Sequence, residues 1–142
     1  MGQIGLLAND SSLIELSLLG LKGLSSRGKQ EKERFKVEIE ELNQYFSKKR
    51  NSFTFKIQIG GTDFQKSVFN NMKTIKYGKV LTYKELAAKI GKPKAYRAVG
   101  SACGANRIPI VIPCHRVVSS TGLGGFGGGL ERKKFLLNLE SN

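Results

Sequence analysis

The sequence lacks several features that would assign it to a class at once. Its 142 residues include no tryptophan, one histidine, three prolines and two cysteines. The cysteines, Cys103 and Cys114, are too few for a disulfide framework, and with a single histidine they cannot complete a four-ligand zinc site. We therefore expect a protein from a reducing compartment, with no metal or other cofactor, and we predict a cytoplasmic location.

Long apolar runs are missing as well. No stretch approaches the roughly 20 apolar residues that a membrane-spanning helix needs, and residues 1–24 lack the basic start and the cleavage site of a signal peptide. A chain of 142 residues suits one domain, with room for a small subdomain. We predict no membrane association and a monomeric state.

Acidic residues are scarce, and the shortage is uneven. The chain has 24 Lys and Arg against 11 Asp and Glu, a formal net charge of +13. Residues 62–142 contain 14 basic and 4 acidic residues, whereas residues 1–61 contain 10 and 7. This imbalance favours a polyanionic partner for the C-terminal part, nucleic acid before membrane, although a solvated basic surface would give the same counts.

The first 60 residues predict a small α+β domain with a scaffold role. Apolar residues alternate on both sides of an Asn-Asp-Ser-Ser turn at 9–12, which indicates a β-hairpin from residues 3–8 and 13–19. A helix follows over residues 31–48, and residues 53–59 alternate again as a third strand. The expected architecture of this domain is a three-stranded antiparallel sheet with one helix. The helix core candidates are Phe35, Ile39, Leu42, Tyr45 and Phe46.

Residues 61–142 predict a mainly helical second domain. Thr62 with Gln65, and Thr82 with Glu85, have the spacing of capping boxes, so helices should run to about residues 75 and 90. Pro93 suits the first position of the next helix, which should end near residue 104. Two short helices and a tight turn in a basic region indicate a helix-turn-helix within a winged-helix-like domain. A last helix over 130–140 has Leu130, Phe135, Leu136 and Leu139 as core candidates.

The second helix of that pair is rich in small residues. Ala and Gly dominate residues 95–105, and Arg97 is the only arginine among them. Side chains that read base edges in the major groove are missing, so this helix suits close approach in a minor groove, where most contacts are to the backbone. Small residues would equally permit close packing between helices.

Residues 108–118 form the stretch on which the functional prediction depends. The apolar, β-branched run at 108–112 indicates a buried strand that ends at Pro113. Cys114, His115 and Arg116 follow, and a nearby imidazole and guanidinium favour the thiolate form of a nucleophilic cysteine. Adjacent side chains diverge in an extended segment, so a water would have to bridge Cys114 and His115. Without further context, an inert buried cysteine is the commoner interpretation of such a pair.

The full pattern of this stretch is more specific. Asn-Arg-Ile-Pro at 106–109, followed by Ile-Pro-Cys-His-Arg-Val-Val at 112–118, resembles the active-site signature of the O6-alkylguanine-DNA alkyltransferases. The resemblance extends from about Thr62 to Glu140. It implies a DNA repair protein that extrudes an O6-alkylguanine from double-stranded DNA through the minor groove. The alkyl group would then pass irreversibly to Cys114, so that each molecule reacts once.

The resemblance also implies a role for individual residues. Glu140 would orient His115, and Tyr83 would help to turn the phosphate and donate a proton toward guanine N3. Arg97 would enter the duplex in place of the extruded base, and Asn106 would order the turn beneath the cysteine. Further contacts with substrate or DNA are expected from Pro109, Arg116, Val117, Ser120, Phe126, Gly127 and Lys133.

A glycine-rich loop follows the signature. Residues 122–127 formally match a dinucleotide-binding pattern, but no βαβ unit surrounds them and the chain ends before an acidic partner could follow. The resemblance implies instead that this loop closes over the guanine. Phe126 and Gly127 stand where the family often has Tyr-Ser, and the loop is one residue shorter.

Three other functions compete with alkyl transfer. An alkyltransferase-like protein would bind the lesion without chemistry, but such relatives lack the reactive cysteine, and this chain has Cys114 together with His115 and Glu140. A winged-helix regulator with an inert cysteine would prefer a DNA sequence over a lesion. A cysteine hydrolase would need an oxyanion hole, for which the sequence has no independent signature.

Overall fold

The structure, a computed structural model, describes residues 1–26 and 28–141. The chain separates into two compact units, Met1–Gln58 and Ile59–Asn142. Both contain helices and short strands, so the α+β class is confirmed. No helix in the described ranges is long and apolar enough to cross a membrane.

The N-terminal unit begins with the predicted hairpin. Strand β1, Gly5–Ala8, pairs antiparallel with β2, Leu13–Ser17. The Asn9 side-chain oxygen closes the turn by accepting hydrogen bonds from the backbone N–H groups of Ser11 (3.0 Å) and Ser12 (2.8 Å). Asparagine favours such turns because its side chain substitutes for a backbone acceptor.

A short 3₁₀ helix at Leu21–Gly23 follows the hairpin, and another at Glu33–Phe35 leads into helix α1, Lys36–Phe46. Helix α1 buries Leu42 and Tyr45 as expected. Ile39, also predicted to lie in the core, is 40% exposed. The predicted helix is therefore present but shorter, and fewer of its predicted core residues are buried.

The predicted three-stranded sheet is wrong, because β1 and β2 form a two-stranded sheet. The segment at 53–59 pairs with β2 only through Leu13, which forms a single parallel bridge with Ile57. The alternation that suggested a strand is nevertheless present, because residues 53, 55, 57 and 59 are half-buried and the residues between them are exposed. The Phe53 ring lies 5.7 Å from the Tyr45 ring of helix α1 and 5.5 Å from the Phe55 ring.

The C-terminal unit is mainly helical. Its elements are α2 (Asp63–Met72), β3 (Leu81–Thr82), α3 (Tyr83–Lys89), α4 (Tyr96–Gly104), a 3₁₀ helix (Cys114–Arg116), β4 (Val117–Val118) and α5 (Leu130–Glu140). Strands β3 and β4 pair in parallel. The apolar residues with 0% exposure are Val68, Met72, Leu86, Ala87, Val99, Val117 and Leu136.

Both predicted capping boxes are present. The Thr82 hydroxyl accepts a hydrogen bond from the Glu85 N–H (3.1 Å), and the Glu85 carboxylate accepts one from the Thr82 N–H (2.9 Å). Thr62 and Gln65 form the same pair at the start of α2. Each box satisfies two N–H groups that a helix terminus leaves without an intrahelical partner.

Pro93 does not begin a helix, contrary to the prediction. Helix α4 starts at Tyr96, and the Ala95 N–H donates to the Lys92 carbonyl (2.9 Å) across a tight turn that contains Pro93. Proline favours the second position of such a turn because its φ angle is fixed near the required value.

Helix α5 has the predicted bounds but a different buried face. Leu130 and Phe135, expected in the core, are 48% and 44% exposed. Lys133, Leu136 and Glu140 are buried instead. Residues three and four positions apart share one face of a helix, so the burial of two charged side chains sets the rotation of α5.

We expect Thr82→Ala to lower the free energy of unfolding by about 1 kcal/mol, because one cap of α3 is removed. Urea unfolding followed by circular dichroism would measure this change. Thr121→Ala is the control, since Thr121 is exposed and no hydrogen bond involves its hydroxyl within residues 1–26 and 28–141. Equal stability of the two variants would contradict a contribution from the capping box.

Candidate active site

The stretch before Cys114 is a tight bend and not the predicted buried strand. Ile108, Ile110 and Ile112 are buried, as their alternation suggests. However, the Ile112 N–H donates to the Ile108 carbonyl (2.9 Å), and Ile110 has a φ angle of 74°. A β-branched residue with positive φ is strained by about 1–3 kcal/mol, so the surrounding contacts must hold this bend in place.

Asn106 supplies two of those contacts. Its side-chain oxygen accepts from the Ile108 N–H (2.9 Å), and its side-chain amide donates to the Ile112 carbonyl (2.8 Å). One side chain therefore fastens both ends of the bend. The resemblance implied that Asn106 orders this turn, and it also placed Asn106 among the residues expected to contact substrate or DNA. Both polar atoms of the side chain bond within the protein, at the turn.

Cys114 lies directly after the bend. Its N–H donates to the Ile112 carbonyl (2.8 Å) around Pro113, and the Arg116 N–H donates to the Pro113 carbonyl (3.0 Å). Cys114 to Arg116 thus form a 3₁₀ turn, where an extended segment was predicted. Cys114 is 8% exposed, so it lies just beneath the surface.

The Cys114 side chain is a thiol in the resting protein. Burial raises the pKa of Cys114 above its ordinary value, while a hydrogen bond from the Asn106 side chain and the positive charge of Lys133 oppose that rise. Arg116 was predicted to favour the thiolate, but its guanidinium is directed elsewhere. A nucleophilic sulfur at this position therefore needs a base that takes its proton during the reaction.

Cys103, the other cysteine, is poorly suited to act as the nucleophile. Cys103 is half-buried on α4, with its sulfur 3.6 Å from the Met72 sulfur. Burial raises the pKa of Cys103 to about 12. Its thiolate is consequently rare at neutral pH.

The Glu140 carboxylate is the centre of a buried hydrogen-bond network. Its Oε2 accepts from His115 Nε2 (2.7 Å) and from Arg116 Nη2 (2.9 Å). Its Oε1 accepts from Arg116 Nε (2.8 Å) and from the Gly78 N–H (3.3 Å). The Glu140 side chain is 1% exposed. Such a two-point contact with a guanidinium is among the strongest side-chain pairings.

Arg116 has a structural position, which corrects the expectation that it contacts substrate or DNA. Besides Glu140, it donates to the Ile75 carbonyl through Nη1 (2.7 Å), and its guanidinium lies 5.8 Å from the centre of the Tyr77 ring. The side chain is buried. Arg116 therefore fixes Glu140 and the segment that follows α2.

His115 is fully buried and neutral. Burial lowers the pKa of His115, and the Arg116 and Lys133 charges add to this effect, although the Glu140 hydrogen bond and charge oppose it. Because Nε2 faces a carboxylate, we assign the ring proton to Nε2. Nδ1 is then an acceptor, and it forms no hydrogen bond with any group that the structure describes. Nδ1 is therefore the ring atom that can accept a proton.

Lys133 was expected to contact substrate or DNA, but it is fully buried. Its ammonium donates to the carbonyls of Val117 (2.7 Å) and Gly125 (2.9 Å) and also to that of Leu123. An ammonium has three N–H donors, so these three bonds saturate it. Lys133 thereby fastens the glycine-rich loop to β4 and places a positive charge near Cys114.

Tyr83 lies against the same loop. Its hydroxyl accepts a hydrogen bond from the Gly125 N–H (3.3 Å). Gly124 has a φ of 74°, and a Cβ there would lie 2.7 Å from the Tyr83 hydroxyl oxygen, so glycine is required for this close approach. Burial raises the pKa of Tyr83, which keeps its hydroxyl protonated and able to donate.

The remaining predicted residues differ in accessibility. Arg97, Ser120 and Gly127 are exposed, and Pro109 and Phe126 are half-buried. Val117 is fully buried, and its carbonyl accepts from Lys133. The expected contact of Val117 with substrate or DNA stays a prediction.

The sequence did not identify Ile75 and Gly78 as partners of this network. Both act through backbone atoms, which no sequence motif marks. A signal did exist for Lys133, because it lies seven residues, about two helical turns, before Glu140. That spacing places both charges on one face of α5, together with Leu136.

The C-terminal unit matches a known protein family. Residues 63–142 match the family model described as 6-O-methylguanine DNA methyltransferase, DNA binding domain. A methylated-DNA–protein-cysteine methyltransferase of Methanosarcina barkeri is 47% identical over 146 aligned residues, which cover 100% of this chain and 92% of that protein.

Solved structures are similar too. The crystal structure of Mycobacterium tuberculosis OGT in complex with DNA superposes with a TM-score of 0.88 and 40% identity, over 96% of this chain and 84% of the other. S. pombe Atl1, in complex with damaged DNA containing O6-carboxymethylguanine, gives a TM-score of 0.51 and 33% identity. That match covers 58% of this chain and 79% of Atl1.

We expect Lys133→Met to lower the free energy of unfolding by about 1–3 kcal/mol, because three carbonyls are deprived of a charged donor in a partly buried site. Amide hydrogen exchange should also become faster in residues 123–125. Lys134→Met is the matched control, because Lys134 is the next residue of α5 and is exposed. Unchanged exchange in the loop of Lys133→Met would contradict the proposed fastening.

Proposed function

The chain belongs to the O6-methylguanine DNA methyltransferase family and acts in direct-reversal DNA repair, and we propose that Cys114 is the residue that accepts the alkyl group. One observation supports this choice above the others. Cys114 lies beside a neutral histidine whose far nitrogen is held by the buried Glu140 carboxylate. This is the arrangement that a cysteine with a raised pKa needs to become a nucleophile.

The substrate that we propose is double-stranded DNA containing O6-alkylguanine. Helices α3 and α4 form the helix-turn-helix of a winged-helix-like domain, and α4 enters the minor groove. The small residues of α4 permit a close approach, and the exposed Arg97 occupies the space of the extruded base. The Atl1 complex with a guanine lesion supports this substrate class, since Atl1 resembles this chain in more than half of its length.

The reaction begins with activation of the thiol. Cys114 and His115 are neighbours in a 3₁₀ turn, where side chains of adjacent residues diverge. A water therefore transfers the Cys114 proton to His115 Nδ1. Glu140 holds the ring through Nε2 and stabilises the imidazolium that forms.

A single displacement follows. The Cys114 sulfur forms a bond with the alkyl carbon while the bond between that carbon and guanine O6 breaks, and the electron pair moves into the purine. Tyr83 donates its hydroxyl proton toward guanine N3 as negative charge develops there. Solvent then returns a proton to Tyr83, the imidazolium of His115 releases the Cys114 proton to solvent, and exchange with solvent moves the guanine proton from N3 to N1. The products are a restored guanine and an S-alkylcysteine. A thioether has no simple route back to the thiol, so each molecule reacts once.

The glycine-rich loop forms a wall of the guanine pocket in this proposal. Phe126, Gly127 and Pro109 are accessible enough to contact the base, and exposed Ser120 lies near the loop in sequence. Lys133 and Tyr83 fix the loop from beneath. We further propose that the protein acts as a monomer in the cytoplasm. A lesion-binding protein without chemistry is not favoured, because the thiol and its base are both in place.

Incubation with O6-methylguanine DNA should add one methyl group to Cys114 and then stop at one equivalent per protein. Intact-mass spectrometry with peptide mapping would measure both results. Cys114→Ala should abolish transfer and keep DNA affinity, whereas Cys103→Ala should retain both. Continued turnover, or methylation at Cys103, would contradict the assignment of Cys114.

The pH dependence tests the role of His115. Because the pKa of His115 lies below its ordinary 6.5, the base stays neutral near that pH. The wild-type transfer rate should therefore fall only at lower pH. In His115→Asn the thiol must ionise into solvent, and its pKa is raised. The rate of that variant should rise by about tenfold per pH unit between about pH 7 and 9.

Single-turnover rates with saturating DNA would record both profiles. DNA affinity of His115→Asn, measured separately, should match that of the wild type. A pH-independent rate in the variant that equals the wild-type rate would exclude His115 as the base.

A further inference from the structure

A tight turn at residues 76–79, after α2, lies against the end of α5. The Lys79 N–H donates to the Lys76 carbonyl (2.9 Å), and Gly78, at the third position of the turn, has a φ of 78°. Glycine favours this position because a φ near 80° is strained for other residues. A Cβ at Gly78 would lie 3.0 Å from the backbone oxygen of Glu140. The turn and the residue that orients His115 are therefore in direct contact.

Tyr77, the second residue of this turn, contacts both structures that hold Glu140 in place. Its hydroxyl donates to the Leu139 carbonyl (3.3 Å), one of the carbonyls that a helix end leaves without an intrahelical partner. Its ring lies 5.8 Å from the Arg116 guanidinium, within the range of cation–π attraction. Arg116 in turn makes the two-point contact with Glu140. Tyr77 itself is half-buried.

The position of Glu140 determines how well His115 can take a proton. Burial lowers the pKa of His115, the hydrogen bond and the charge of Glu140 oppose that effect, and the charges of Arg116 and Lys133 lower the pKa further. The hydrogen bond joins Glu140 Oε2 to His115 Nε2 over 2.7 Å. A displaced Glu140 would therefore leave His115 a weaker base.

We propose that Tyr77 is a positioning residue for alkyl transfer, which keeps Glu140 aligned with His115 Nε2 through Arg116 and through the end of α5. The ring makes the larger contribution, because the attraction between Arg116 and the carboxylate is stronger where an apolar surface displaces water. The hydroxyl adds one hydrogen bond to a helix end. This role rests on the proposed function of His115 as the base for Cys114.

The test compares three variants of the full chain, prepared without a histidine tag. Tyr77→Leu removes the ring and the hydroxyl, whereas Tyr77→Phe removes the hydroxyl alone. Thr62→Ala is the structural control, because it removes the cap at the opposite end of α2 from the 76–79 turn. His115 is the only histidine in the sequence, so the signals of its ring in an NMR spectrum are identified without further assignment.

The wild type and Tyr77→Phe should both show a slowly exchanging His115 Nε2–H proton, because this proton is bonded to a buried carboxylate. In Tyr77→Leu the proton should exchange faster. The single-turnover rate of methyl transfer with saturating O6-methylguanine DNA should fall about tenfold in Tyr77→Leu, which is part of the roughly 10²–10⁴-fold that a general base contributes. Thr62→Ala should lose stability and keep both the signal and the rate. DNA affinity should be unchanged throughout.

A double variant separates positioning from a general loss of structure. If Tyr77 acts through His115, then adding Tyr77→Leu to His115→Asn should slow methyl transfer no further, since the two residues belong to one network. A second tenfold loss in the His115→Asn background would show that Tyr77 acts independently of the base, and it would overturn the proposal.

Other results would also overturn it. An unchanged Nε2–H exchange rate in Tyr77→Leu, with an unchanged transfer rate, would show that Glu140 keeps its alignment without the tyrosine. Equal losses in Tyr77→Leu and Thr62→Ala would show a structural role only. A wild type that does not methylate Cys114, or a His115→Asn variant as fast as the wild type, would contradict the proposed function instead. The Nε2–H exchange rates would then still show whether Tyr77 positions Glu140.

Discussion

The C-terminal unit depends on one buried carboxylate. Glu140 collects hydrogen bonds from His115, from Arg116 and from the backbone of Gly78, and these groups come from separate parts of the chain. A carboxylate buried this deeply is stable only when its charge and its lone pairs are all matched. Glu140 also ends α5, where the helix dipole disfavours negative charge. The two-point contact with Arg116 offsets both costs.

Helix α5 links the two halves of the proposed chemistry. Through Glu140 it sets the orientation of the imidazole, and through Lys133 it sets the position of the glycine-rich loop against Tyr83. The two charged residues are seven positions apart on one face, so they move as a single rigid piece. A shift of α5 would therefore disturb the base and the pocket wall together.

Local signals in the sequence were the most reliable. The capping threonines at 62 and 82, the hairpin turn at Asn9 and the bounds of α5 depend on neighbouring residues, and each was predicted correctly. Errors arose where distant contacts decide the structure. The isoleucine run resembles a strand, yet Asn106 bends it. The resemblance named Lys133 and Arg116 as contacts with substrate or DNA, and it did not indicate that both side chains are buried.

The residues of the candidate site also fall into those that the sequence could identify and those that it could not. Cys114, His115 and Glu140 could be named from the sequence because the family signature and the last helix contain them. The backbone groups of Ile75 and Gly78 could not, because their identity as residues is irrelevant to the bonds they make. Rotation of α5 follows from its buried charges, whereas hydrophobic periodicity alone selected Leu130 and Phe135 for the wrong face.

Because Cys114 is a buried thiol, it is also protected from oxidation before it reacts. Peroxides and metal ions attack thiolates, and their attack depends on exposure. A sulfur that remains a buried thiol until a proton acceptor is engaged is spared most of this damage. We propose that each molecule is consumed by one repair event. Slow oxidation of Cys114 therefore keeps more of the protein able to react when a lesion is met.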